Sequence, residues 1–514
     1  MTVREKSISC WIGFFGCMLA LGVACARAEV TLPDVFSAHM VLQRECAVPV
    51  WGAAAPGEKV TVTFRNQEKT ATADAAGKWM VKLDPLTAGG PDNLTVTALK
   101  TVVIEDVLVG EVWVGSGQSN MEYLTGYFAA GDPVLARMMG ERYPQIRLTT
   151  ATRAWQEATP ESIKSFSALL FAFGVALQKH LNVPVGLMLG AAGGSPSGYW
   201  LTRDMLAADP ASQAAAAEAE ARAPFALRQQ KYEQDLARYN AAQQGDKKAI
   251  SAPPSPPIRA GEAYGKVGHL YETFIKPLQP YAIRGVLWDQ GESNTALEGI
   301  DQYTTMGALI RGWRRAWGEG EFPFLYVQKP GGGGCAWDPA SPVTKEAAPF
   351  TPLPASVPDD GDAVGMFIKI MTYPKTAMVT SSDLGAGLHP VNKSGYGQRA
   401  ADVALGFVYG GTNDYYGPVY KSHQAEGATI RVSFSHVGQG LAFKHGDQLQ
   451  GFAMAGKDKA WHWAEAWIDS NTVVLSSQEV PEPVAVQYAW TVNRPWANLF
   501  NKGGLPALPF CTAR

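Results

Sequence analysis

Residues 112–115, 184–189, 284–288 and 323–327 form four short runs that are apolar almost without a break, and segments of helical length separate them. A strand with one wet face alternates apolar and polar residues, whereas a strand without that alternation is covered on both faces. Strands of this kind joined by long connections predict an α/β region, a parallel sheet with helices packed on either side. The texture holds from about residue 109 to 408. Both ends of the chain read differently. Residues 30–109 carry runs such as Val60-Thr61-Val62-Thr63-Phe64 and Lys78-Trp79-Met80-Val81-Lys82-Leu83, punctuated by Gly, Pro and Asp turns. Such spacing predicts an antiparallel β-sandwich region over 29–108. Beyond Tyr409-Gly410-Gly411 the pattern returns, as in Thr429-Ile430-Arg431-Val432-Ser433-Phe434. Residues 409–514 are therefore expected to be β-sandwich again, as a unit of their own or as a completion of the first. At 514 residues the chain exceeds what one hydrophobic core usually serves, in keeping with this division.

Two segments stand outside that plan. Arg4 and Lys6 precede a mostly apolar run over residues 8–23, and Ala26-Arg27-Ala28 supplies the small residues a signal peptidase needs. Residues 1–28 are read as a signal peptide, and the mature chain as exported, periplasmic or extracellular. A membrane anchor is disfavoured because the run is short for a bilayer, and lipidation at Cys25 because Gly22 suits that motif poorly. No later stretch reaches about 18 unbroken apolar residues, so membrane insertion of the mature chain is not expected. Cleavage leaves Cys46, Cys335 and Cys511, enough for one disulfide at most and without zinc-site spacing. The second segment, about 204–260, is rich in Ala, Glu, Gln and Arg and ends at Pro253-Pro254-Ser255-Pro256-Pro257. It predicts an inserted helical hairpin, either a lid or, as we favour, a solvated excursion. With 44 basic and 47 acidic side chains, no electrostatic footprint for nucleic acid is present.

Four blocks carry chemistry. Gly117-Gln118-Ser119-Asn120-Met121 follows the first apolar run, where an open α/β sheet places its ligands. Small residues around it permit a tight turn, exposing the Ser119 hydroxyl with its own N–H toward a developing oxyanion. It is not the Gly-x-Ser-x-Gly elbow of α/β-hydrolases. Gly193-Gly194-Ser195-Pro196 follows the second run, and its glycines let a backbone N–H approach a substrate oxygen. Trp288-Asp289-Gln290-Gly291-Glu292-Ser293-Asn294 follows the third; Gln290 offers a neutral amide donor, and Glu292 either a structural acceptor or an acid–base carboxylate. His389-Pro390-Val391-Asn392-Lys393 comes late, after a glycine-rich loop, and His389 suits a general base near neutral pH.

Taken together, these blocks resemble the SGNH hydrolase superfamily, and within it the sialate O-acetylesterase-like family. The likeness runs from Gly110-Glu111-Val112-Trp113 through Met121, over Gly193 to Pro196 with Trp200, over Arg284 to Asn294, and over His389-Pro390 with Asn392-Lys393. It extends outward to Leu32-Pro33-Asp34-Val35-Phe36 and to Pro509-Phe510, sparing the helical insertion. The resemblance implies a flavodoxin-like hydrolase domain flanked by β-sandwich regions. It also implies release of acetate from an O-acetylated carbohydrate, without metal or organic cofactor. Ser119 would be the nucleophile and His389 the base, with the Ser119 N–H, a Gly194 N–H and the Gln290 amide as oxyanion hole. Asn120, Trp200 and Asp289 are the positions expected to meet the sugar, Asp289 standing where the family usually has an aromatic residue. The family commonly has an Asp two or three residues before the histidine. Here Gly387 and Ala386 stand there, so the third triad member is either Asp383 or missing, leaving a Ser–His dyad helped by a backbone carbonyl. Competing readings are an acetylated xylan or xyloglucan as substrate, and a non-catalytic carbohydrate-binding protein on the same scaffold.

Overall fold

The computed structural model describes residues 29–245 and 252–514. The expected signal peptide, residues 1–28, lies outside the described residues. The organising element is a strand of 17 residues, Thr101–Gly117. Its first half pairs antiparallel with Gly89–Thr97, its middle runs parallel to Val41–Gln43, and its second half enters the central sheet. Exposed positions recur as far as Glu105, Asp106 is half-buried, and from Val107 onward every residue is buried. The change of texture near residue 109 is thus one strand passing from a half-wet sandwich into a fully covered sheet.

From one edge, the central sheet runs Thr376–Val379, Phe324–Val327, Gly285–Asp289, Thr101–Gly117, Val185–Ala191, Tyr143–Thr150 and Arg153–Ala158. All neighbours are parallel except the last pair, an edge hairpin. Setting that hairpin aside, the strands stand in the flavodoxin-like order 2-1-3-4-5. Successive side chains feed different cores. Val112, Val114, Val286, Trp288, Phe324 and Tyr326 join one, and Trp113, Leu287, Leu325 and Val327 the other. The helices Ala168–Leu181 and Lys393–Phe407 cover the second face; the helix Gln302–Trp317 and the amino-terminal sandwich share the first core. Two apolar faces on every strand explain the unbroken runs in the sequence.

The carboxyl-terminal region builds two four-stranded antiparallel sheets of its own. They close on a separate core that includes Ile430, Val432, Phe452, Met454, Val473 and Val486, so this region does not complete the first sandwich. The inserted hairpin consists of helices Pro210–Arg222 and Phe225–Gly245. It rests Ala215 and Ala216 on the core and is otherwise largely exposed. Cys46, Cys335 and Cys511 are all unbridged. Among the described residues, no helix is long and apolar enough to cross a membrane.

Candidate active site

Sheet register brings the site together. Gly117, at the end of its strand, lies between Ala191 and Asp289, so three turns leave the sheet side by side. This is the point where the strand order reverses, the usual place for a ligand crevice in open α/β sheets. Gly117 has φ 128°, and a Cβ there would fall 2.1 Å from the Asp289 carbonyl oxygen, so the turn demands glycine. Ser119 follows as the first residue of the single-turn helix Ser119–Glu122. Its Oγ lies 2.9 Å from Nε2 of His389, which arrives on the loop beyond the edge strand Thr376–Val379. The expected nucleophile and base, 270 residues apart in sequence, are in hydrogen-bond contact.

Two backbone donors stand free beside them. The Ser119 N–H opens its helix and has no acceptor within it. Gly193 packs on the nucleophile, where a Cβ would sit 3.7 Å from that of Ser119, and its own N–H is spent on Glu122 Oε2 at 2.7 Å. Gly194, next along, has φ 65° and faces open space, and its N–H has no partner among the described residues.

Five other expected site residues are placed elsewhere. Gln290 donates both amide hydrogens to backbone carbonyls, of Asn294 at 2.9 Å and Ser195 at 3.3 Å, and accepts from Gln302. It ties the glycine and amide loops together and has no donor left for an oxyanion. Asp383 is fully buried, and its carboxylate is gripped at both oxygens by Arg399, at 3.1 and 2.9 Å. Freeing a buried, bidentate carboxylate would strand the guanidinium, so Asp383 is not the third triad member. Among the described residues, Nδ1 of His389 has no hydrogen-bond partner, so neither Asp383 nor the backbone carbonyl of the dyad alternative meets the imidazole. Trp200 is wholly buried, packs edge-on against Trp288 and donates to Ser195 Oγ. Asp289 is buried against Lys329 Nζ at 2.8 Å. Asn120 is buried too, its side chain donating to Glu292 at 2.8 Å and the Leu388 carbonyl at 2.9 Å while accepting from Lys393 at 2.6 Å. None of these three can meet a sugar without leaving its partners.

No family model matches the chain. The sialate O-acetylesterase of Rattus norvegicus is 31% identical over 335 residues, covering 56% of this chain and 58% of that protein. The sialate O-acetylesterase of Homo sapiens is 27% identical over 328 residues, covering 56% of this chain and 55% of that one. The chain thus matches little more than half the length of these curated relatives. A crystal structure described as a carbohydrate acetylesterase from Xanthomonas citri covers 94% of this chain and 99% of its own, with 28% identity and a TM-score of 0.71. The chain is thus similar in sequence to sialate O-acetylesterases over little more than half its length, and in fold to a carbohydrate acetylesterase over nearly all of it.

Beneath Ser119 lies a buried ionic layer in which the sequence alone gave Lys329 and Lys393 no role. Lys329 Nζ bridges Asp289 and Glu292, the latter at 2.7 Å, so Glu292 is the structural acceptor of the two readings. Burial opposes the Lys329 charge, but those carboxylates hold its pKa above the ordinary value. Lys393 is equally buried, and desolvation brings its pKa down to about 7 despite Asp289. His389 is pushed below its usual value by burial and then by the Lys393 cation, which keeps the imidazole neutral and able to accept a proton. A lysine directly after an apolar strand, as at Lys329, was the available signal for this layer. Among the described residues, no group of three or more His, Cys, Asp or Glu side chains is arranged to hold a metal ion.

Proposed function

We propose that the chain is a serine-dependent carbohydrate O-acetylesterase of the SGNH type, with O-acetylated sialic acid as its first-choice substrate. The observation that carries this reading is the 2.9 Å contact between Ser119 Oγ and His389 Nε2, flanked by the free N–H groups of Ser119 and Gly194. His389 takes the Ser119 proton as Oγ attacks the acetyl carbonyl carbon. The two N–H groups receive the oxyanion. The imidazolium returns its proton to the sugar oxygen as the C–O bond breaks, and the sugar alcohol leaves. Water, deprotonated by His389, then releases acetate and restores Ser119.

An acetylated xylan or xyloglucan fragment is the second reading. It rests on the near end-to-end likeness to a protein described only as a carbohydrate acetylesterase, which names no sugar, against the partial overlap with the sialate enzymes. We further propose export from the cytoplasm, on the basic start and apolar run within residues 1–28. The deciding experiment measures acetate release from acetylated sialic acid, acetylated xylo-oligosaccharide and acetylated xyloglucan fragments. Turnover of any of them supports an acetylesterase, and the ranking chooses between the substrates. No acetate from all three, nor from p-nitrophenyl acetate, would leave the non-catalytic binding protein.

A further inference from the structure

Large apolar side chains stand in water beside the Ser119–His389 pair, where folding gives no reason for them. Tyr127, in the helix Thr125–Phe128, is 68% exposed, and Leu388, the residue before His389, is 62% exposed. Leu124 and Val391 are exposed as well. Exposed large apolar side chains occur elsewhere on the surface too, but these flank a reactive pair, where a bound ligand can cover them.

The rings form a continuous path. The His389 imidazole lies 4.7 Å from the Tyr123 ring, and Tyr123 lies 5.2 Å from Tyr127. Tyr127 is braced edge-on by the buried Phe128 at 4.9 Å, so its orientation is held from below while most of its surface stays open. Its hydroxyl has no partner among the described residues. The histidine loop meets the same segment, since Val391 Cγ1 is 2.6 Å from where a Cβ on Gly131 would lie. Leu388 has its carbonyl held by Asn120, so its backbone is fixed while its side chain reaches solvent.

The geometry points to Tyr127 as the stacking platform of a sugar subsite, binding the pyranose next to the one that bears the acetyl ester. The acetyl carbon must sit at Ser119 Oγ, and the sugar carrying it lies beside His389 and Tyr123. Tyr127 is one ring further out, at most about 10 Å from the imidazole centre. A pyranose offers an apolar C–H face to a phenol and hydroxyls to its oxygen, which fits an amphipathic ring held edge-down. The ligand is therefore an acetylated sugar carried within an oligosaccharide, a glycosidically linked O-acetylated sialic acid included, rather than the free monosaccharide. This deepens the acetylesterase reading and rests on it.

The test compares wild type, Tyr127→Ala and Tyr127→Phe by the ratio of kcat/KM on an acetylated oligosaccharide to kcat/KM on p-nitrophenyl acetate. Losing one stacking contact should lower that ratio roughly tenfold in Tyr127→Ala, through KM. Tyr127→Phe keeps the ring and should restore most of the ratio. The matching acetylated monosaccharide should show little change. An unmoved ratio in Tyr127→Ala, or an equal loss on the monosaccharide, overturns the subsite. A wild-type protein that cleaves p-nitrophenyl acetate but no acetylated sugar overturns the carbohydrate reading itself, and the subsite with it.

Discussion

At the residue scale, the Ser119–His389 contact rests on buried side chains bonded to one another, Asn120 first among them. Asn120 links the nucleophile turn to the backbone one residue before His389, through its bond to the Leu388 carbonyl. Removing it should let the two loops drift, and displacement by an ångström can cost on the order of 10² in turnover. We therefore expect Asn120→Ala to lower kcat about 10²-fold with little change in KM, as measured by steady-state kinetics on p-nitrophenyl acetate. Asp383→Asn should lower Tm by weakening the Arg399 pair while kcat stays within about tenfold; a loss near 10⁴ would return Asp383 to the triad. Gln290→Ala should leave the Ser195 and Asn294 carbonyls unpaired and cost about 1–3 kcal/mol in denaturant unfolding. Its kcat should fall by less than the roughly 10²–10³ that loss of an oxyanion donor produces. Lys393 depresses the His389 pKa, and it carries its charge below about pH 7, where His389 titrates. Lys393→Met should therefore move the acid limb of the kcat/KM profile to higher pH, toward about 6.5, the ordinary value for histidine.

At the scale of elements, the sequence was most legible where one residue type has one physical use. The runs at 112–115 and 284–288 have no polar alternation because both faces are buried, and the structure makes them central parallel strands. The meeting of Ser119 and His389 was legible because four blocks in one order resemble a single family, whereas a serine after a strand or a late histidine taken singly has several structural uses. Side chains with several possible acceptors were not legible. An amide such as Gln290 or Asn120 can point at a substrate or at the neighbouring loop, and only the loop spacing decides. Asp383 was ambiguous for the same reason: the sequence shows a carboxylate six residues before the histidine but not the guanidinium of Arg399, which reaches it from the following helix. Gly117 tests the strand register directly. Gly117→Ala would drive a Cβ into the Asp289 carbonyl at 2.1 Å, so a clear fall in Tm is expected by calorimetry, together with loss of activity.

At the scale of the whole molecule, one strand joins the amino-terminal sandwich to the catalytic sheet, so the sandwich is a continuation of the sheet's core rather than a tethered module. The carboxyl-terminal sandwich keeps its own core. What unifies the account is that strand order, register and three glycine-bearing turns converge on a single hydroxyl. The most direct measurement is acetate release by wild type and by Ser119→Ala on p-nitrophenyl acetate and an acetylated sugar, with matched Tm. Ser119→Ala should lose at least about 10³-fold in kcat on both substrates. A folded Ser119→Ala protein that retained wild-type turnover would remove Ser119 from the reaction.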